Sequence, residues 1–263
     1  MSSNDNFMTF GGHLDVFRKI LMRISLVTII FACIIVIFKD ATFFILLSPG
    51  EWDFCTYRWL ERFIRIFDSG FQFEKFQIDL IATDLSSQFM THISTAIYLG
   101  LLCASPLILY ELFKFVSPAL LEDEKKYSVR IVCAIYVLFI VGVFMSYFIL
   151  FPISFRFLGT YSVSEKVHST ITLDSYISTF VTLTLMMGLV FQLPIIAYFL
   201  GRMGLVQSSF LIRYRRYSFL VICIIAAIIT PPDLMTLILV ALPLYMLYEI
   251  SIKIIKSIER KRV

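Results

Sequence analysis

The segment Arg216–Glu249, RYSFLVICIIAAIITPPDLMTLILVALPLYMLYE, decides how this chain is read. Two apolar runs flank the turn Thr230–Asp233, with 14 residues between Arg216 and Pro231 and 15 between Asp233 and Glu249. Two prolines in succession cannot continue a helix, and Asp233 seeks water. The runs are continuous rather than alternating, so they suit helices and not barrel strands. At 1.5 Å rise each would be about 21–23 Å long, against a hydrocarbon core of about 30 Å. They predict a short helical hairpin, residues 217–230 and 234–250, that reaches part-way or thins the bilayer.

Four longer runs lie upstream: Ile20–Phe38, Ile93–Phe115, Ile131–Phe155 and Ile177–Gly201. Each meets the length of about 20 apolar residues that a spanning helix needs. Composition agrees. The 263 residues are 59% apolar and 16% charged, with a mean hydropathy of +0.86. A soluble domain sits near ~45–50% apolar and ~25% charged. The expected fold is all-α and integral to the membrane: six transmembrane helices in one domain covering residues 1–263.

Six spans put both termini on one side, and Lys and Arg decide which. The tail to Arg23, residues 114–130, residues 202–216 and the C-terminal tail hold 16 of the 23 basic residues. The opposite loops hold 7, five of them in one long loop. Both termini are therefore expected in the cytoplasm. The N-terminal stretch MSSNDNFMTFGGHLDVFRK lacks a cleavage site and does not read as a signal peptide.

Pro106, Pro152, Pro194 and Pro243 fall inside the spans. Each removes a backbone hydrogen bond and tends to kink its helix. They are either ordinary membrane-helix prolines or the bends of a concave wall. The long outer loop, residues 39–88, carries CTYRWLERFIRIF at Cys55–Phe67. Trp59, Leu60, Phe63, Ile64 and Phe67 recur at helical spacing, and Glu61 can pair with Arg65. This segment reads as an amphipathic helix, on the outer interface or packed over the bundle as a cap.

The chain has no phosphate-binding loop, dinucleotide fingerprint, zinc-protease or nucleophile-elbow motif. Its five cysteines, four in apolar runs, form no ligand set, and His13, His92 and His168 are scattered. No catalysis, cofactor, metal or nucleic-acid partner is expected. Work on a substrate must then come from binding energy, partners or the electrochemical gradient.

Between the second and third spans lies FVSPALLEDEKKY, Phe115–Tyr127. Ser117 and Pro118 make a good helix start. On that helix Glu122 and Asp123 both reach Lys126, at i+4 and i+3. The neighbours of Glu124 are Leu120, Leu121, Tyr127 and Ser128, none of them basic. Glu122 and Asp123 are explained by the helix dipole. Glu124, about two turns in, is left available for a cation from outside. Asp15, in GGHLDVFRK, has Arg18 and Lys19 one turn on and reads as locally neutralised. Gln192, in GLVFQLPI, is read as the only strongly polar mid-span side chain. It either bonds a neighbouring helix or lies on a transport path.

Six segments in order resemble the TatC family, the polytopic subunit of the twin-arginine protein translocase. They are HLDVFRKIL, IATDLSSQF, SPLILYELFKFVSPALLEDEKKY, YFILFPISFRFL, MGLVFQLPI and ITPPDLMTLILVALPLYMLYEI, between Gly12 and about Ile252. The resemblance implies a kinked, cupped bundle with a short fifth–sixth hairpin and cytoplasmic termini, in a bacterial inner membrane. It implies capture of folded cargo bearing paired-arginine signal peptides, TatA- and TatB-type single-span partners, an oligomeric complex, and transport driven by the proton-motive force. The family's signal-binding glutamate falls on Glu124, with Phe115 beside it. The family usually reads HLxELRK near its start. Here Val16 takes the glutamate's place, Asp15 precedes it and Arg18 matches. The fourth-span acid often seen in the family is Gln192 here, which removes a protonation-linked role. Pro118, Pro152, Pro194 and Tyr147 match as architectural positions, and Asp233 as a turn residue that is either solvated or touches a partner. The rival reading is a six-helix secondary transporter of a small solute, which would bind near the midplane between repeats; no repeat is visible.

Overall fold

The computed structural model describes residues 10–66, 76, 78–116, 128–162, 164 and 170–262. The helices are α1 (Phe10–Ile37), α2 (Lys39–Leu47), α3 (Cys55–Ile64), α4 (Ser87–Cys103), α5 (Ser105–Val116), α6 (Ser128–Met145), α7 (Phe151–Thr160), α8 (Leu173–Val190), α9 (Leu193–Arg202), α10 (Ser208–Arg213), α11 (Arg215–Ile229) and α12 (Leu234–Arg262). A two-residue parallel bridge joins β1 (Leu80–Ile81) to β2 (Ile171–Thr172).

Among the described residues these helices make six legs: α1, α4 with α5, α6 with α7, α8 with α9, α11 and α12. Four are long and apolar enough to cross a membrane by themselves, and α4 with α5 passes that test as a pair bent by 50°. α11, at 15 residues, is as short as its apolar run demands. α12 is 29 residues long and runs past Glu249. Nothing breaks it there: Ser251, Ile252, Ile255 and Ile258 are buried, with Ile255 against Gly201 of α9.

Each proline leaves a different mark. Ser105 and Pro106 open α5 just after the 50° bend. A π turn, Ser146–Leu150, precedes Pro152, where the Phe151 N–H donates five residues back to the Ser146 carbonyl. The Phe191–Gln192 break precedes Pro194. Pro243 sits inside the continuous α12. A proline whose neighbours re-satisfy the freed carbonyl is tolerated at membrane depth.

The main core lies where α7 meets α8. Phe151 packs edge-on against Tyr176 and Phe180, with ring centroids 4.9 and 5.0 Å apart, and Phe155 meets Tyr176 at 4.9 Å. Such edge-to-face pairs add to plain area burial. A smaller cluster, Leu109, Phe113, Ile135, Phe139 and Val143, joins α5 to α6. Glycine sets two helix crossings. A Cβ on Gly142 would stand 2.6 Å from the Met187 carbonyl, and one on Gly100 2.8 Å from that of Thr28. α1 rests mainly on α4 across the Gly100 contact, and much of its surface, including Leu26, Ile29 and Ile30, is exposed.

Candidate functional site

The contacts sort the bundle into two ends. At one, the start of α1, the end of α5, the end of α9 and the end of α12 come together. Phe113 of α5 meets Phe199 of α9 with ring centroids 6.1 Å apart, and Gly201 of α9 meets Ile255 of α12. We call this the terminal end. At the other, the capped end, α2 and α3 lie over the π turn and the start of α8.

At the terminal end Asp15 and Arg18 stand exposed on α1. α5 leads from there toward Glu124 and Pro118, which lie outside the described residues, as does the side chain of Phe115. The sequence reading missed a residue here. Glu111, the one acid in the Ile93–Phe115 run, is 4% exposed, and its Oε1 accepts a hydrogen bond from Arg23 Nη1 at 3.1 Å. Gln192 is therefore not the only strongly polar side chain within the spans. The signal was available: an ionisable residue inside an apolar run marks a site by default, with its partner to be sought.

Other charge pairs fix the same end. The Glu259 carboxylate accepts from the backbone N–H of Ser208 at 2.8 Å and from its hydroxyl, tying α12 to the start of α10. Arg215 donates to Glu249 at 2.9 Å, and Tyr245 donates to the same carboxylate at 3.2 Å. The Tyr248 hydroxyl donates to the Leu211 carbonyl at 2.7 Å.

Gln192 resolves toward the structural alternative. Its Nε2 donates to the Ile135 carbonyl of α6 at 3.1 Å and to the Gly188 carbonyl at 3.4 Å. The break before Pro194 turns the Gln192 N–H to Leu189 instead of Gly188. The side chain thus serves the acceptor that its own backbone leaves.

The capped end is held by hydroxyls. Pro152 cannot donate to the Phe148 carbonyl, and Thr56 of α3 donates there instead. Pro49 cannot donate to the Ile45 carbonyl, and the Tyr147 hydroxyl does so at 2.7 Å. Tyr176 donates to the Leu46 carbonyl at 2.9 Å. The buried Tyr57 hydroxyl lies 2.8 Å from the Pro152 carbonyl and 3.1 Å from that of Pro49. Burial pushes the Tyr57 phenol far above its ordinary pKa, while nearby Arg156 pulls it down. The Arg156 guanidinium stands 5.5 Å from the centre of the Tyr57 ring and 5.1 Å from that of Phe76.

α3 thus packs over the bundle through Thr56 and Tyr57. Trp59 and Phe63 stay exposed and line an open apolar notch of about 430 Å³ with Phe148, Ile149 and Ile153. The Glu61–Arg65 pair forms at 2.5 Å. Asp233 caps α12: its Oδ1 accepts from the Thr236 N–H at 2.6 Å, and its Oδ2 is buried without a hydrogen-bond partner. Among the described residues no group of three His, Cys, Asp or Glu side chains could hold a metal, and the five cysteines are free.

An all-helical, kinked membrane bundle, with charges clasped at one end and a hydroxyl-pinned cap at the other, defines a polytopic membrane protein. The family model described as Sec-independent protein translocase protein (TatC) matches residues 12–243. The TatC of Blattabacterium sp. subsp. Periplaneta americana is 35% identical over 100% of both chains. That of Carboxydothermus hydrogenoformans is 33% identical over 98% of this chain and 96% of its own. A crystal structure described as the twin-arginine translocase receptor TatC superposes with a TM-score of 0.74 at 28% identity, covering 94% of this chain and 99% of that one. This chain belongs to the TatC family. It is a protein-translocase component and not an enzyme.

Proposed function

We propose that the chain is the receptor subunit of a twin-arginine translocase in a bacterial cytoplasmic membrane, with both termini in the cytoplasm. Glu124, with Phe115 beside it, takes a guanidinium of a paired-arginine signal peptide, and Asp15 and Arg18 of α1 form the facing part of the docking surface. The observation that carries this reading is membership, over residues 12–243, in a family with a solved member described as a twin-arginine translocase receptor. Arg–carboxylate contacts are charge-assisted and often bidentate, and gain strength where the headgroup region removes water. The weight of Lys and Arg at residues 114–130, 202–216 and the two tails supports the orientation.

Single-span TatA- and TatB-type partners then join in an oligomeric complex, with Asp233 at the outer tip of the short hairpin as a partner contact, and folded cargo crosses at the expense of the proton-motive force. A charge moved across the field gains about 2.3 kcal/mol per 100 mV. The test is site-directed crosslinking of a paired-arginine peptide to residues 13–19 and 115–126, with Glu124→Ala and Glu124→Lys beside the parent. Crosslinks at both segments, lost in the lysine variant, are expected. Normal capture by the lysine variant sinks the reading.

A further inference from the structure

α1 is the loosest leg of the bundle. It rests mainly on α4, and near its start Leu14, Phe17, Leu21 and Met22 are all exposed. The Gly100 contact, at Thr28 and Ala32, holds its middle. Five residues before Thr28, Arg23 reaches across to Glu111. The two partners are unequal: the Glu111 side chain is 6% exposed and that of Arg23 62%. A carboxylate so enclosed cannot rotate away to water, so it is the fixed point, and the arginine on α1 comes to it.

We propose that Arg23 and Glu111 are a positioning pair: their clasp sets where the first turns of α1 stand relative to α5. Asp15 lies two turns before Arg23, and Phe115 one turn after Glu111, so the clasp sits between the two expected parts of the docking surface. Its consequence for peptide capture rests on the reading above; the clasp itself does not. Without the pair, α1 samples several positions about the Gly100 contact, and only a fraction of molecules present both parts at the right spacing. Apparent affinity falls by that fraction.

Two measurements test this in the full-length chain with its native cysteines replaced. Spin labels at Leu14 and Leu205, both exposed and both at the terminal end, report the position of α1 with no peptide present. Glu111→Gln and Arg23→Ala should each broaden the distance distribution, Arg23→Lys should keep it narrow, and the double variant should be no broader than either single one. Titration with a fluorescent paired-arginine peptide should then show about ten-fold weaker binding for Glu111→Gln and Arg23→Ala, with Arg23→Lys restored to within about three-fold. An unchanged distribution in both single variants overturns the clasp. Broadening with unchanged affinity confines it to the fold and overturns its role in docking. If Glu124→Lys still binds the peptide while the distributions behave as stated, the docking reading fails and the clasp stands.

Discussion

The two ends of this bundle solve the same problem with different chemistry. At the capped end, Pro152 and Pro49 leave the Phe148 and Ile45 carbonyls without their helical donors, and the hydroxyls of Thr56 and Tyr147 fill them, while those of Tyr57 and Tyr176 reach the Pro152 and Leu46 carbonyls. At the terminal end, carboxylates on α5 and α12 are met by guanidinium, hydroxyl and N–H groups: Glu111 by Arg23, Glu249 by Arg215 and Tyr245, Glu259 by Ser208. A hydroxyl that serves a carbonyl makes a neutral bond, which no ion competes for. An ion pair with one exposed partner can be exchanged for another ion.

The comparison can be broken in four places, from the largest expected effect downward. Tyr57→Ala removes a buried ring and the hydroxyl that lies between the Pro49 and Pro152 carbonyls. A loss of about 3–5 kcal/mol is expected from thermal unfolding in detergent. A loss under about 1 kcal/mol would mean that α3 does not hold the capped end. Arg23→Ala strands a buried carboxylate and should cost about 2–3 kcal/mol, toward the low side for broken pairs because Arg23 is largely exposed. Adding Glu111→Leu should recover most of it, and a double variant worse than the single would show that Glu111 holds more than Arg23.

Tyr147→Phe keeps the ring and removes only the donor to the Ile45 carbonyl, for about 1–2 kcal/mol in the same measurement. The smallest effect is the sharpest contrast. Raising ionic strength should speed amide exchange in α10 and at the base of α11, held by Glu259 and the exposed Arg215–Glu249 pair. It should change α3 less, because α3 is anchored to the bundle by the neutral hydroxyls of Thr56 and Tyr57, and salt screens only its surface Glu61–Arg65 pair. Equal acceleration at both ends would erase the distinction.

Much of this could be read from residue order. The apolar runs, the TPPD break and three of the four span prolines reappear as legs, a turn and helix breaks, while Pro243 stays inside the continuous α12; a helix in lipid must satisfy its own backbone and can be interrupted only where neighbours compensate. The length of α12 could not be read that way. Glu249 looked like an end because a carboxylate at that point should leave the membrane; Arg215 and Tyr245 hold it in place and the helix continues. The outer helix showed its period, yet the two residues that anchor it, Thr56 and Tyr57, lie outside its apolar repeat. Their role is defined by carbonyls about 90 residues away in the chain. Glu111 was visible as an acid in an apolar run, but its partner was not.

Sequence alone determined that this chain is a helical membrane protein, where its apolar runs lie, and which family it resembles. Those properties depend on hydrophobic length, local backbone chemistry and motif order, all written along one dimension. Only the tertiary structure decided which donors meet the stranded carbonyls, that Gln192 serves its own helix break, and that Arg23 of α1 closes on Glu111 of α5. These pairings join residues far apart in the chain. They exist only where helix crossings such as Gly100 of α4 against α1 and Gly142 of α6 against α8 bring backbones close enough for a short side chain to span the gap.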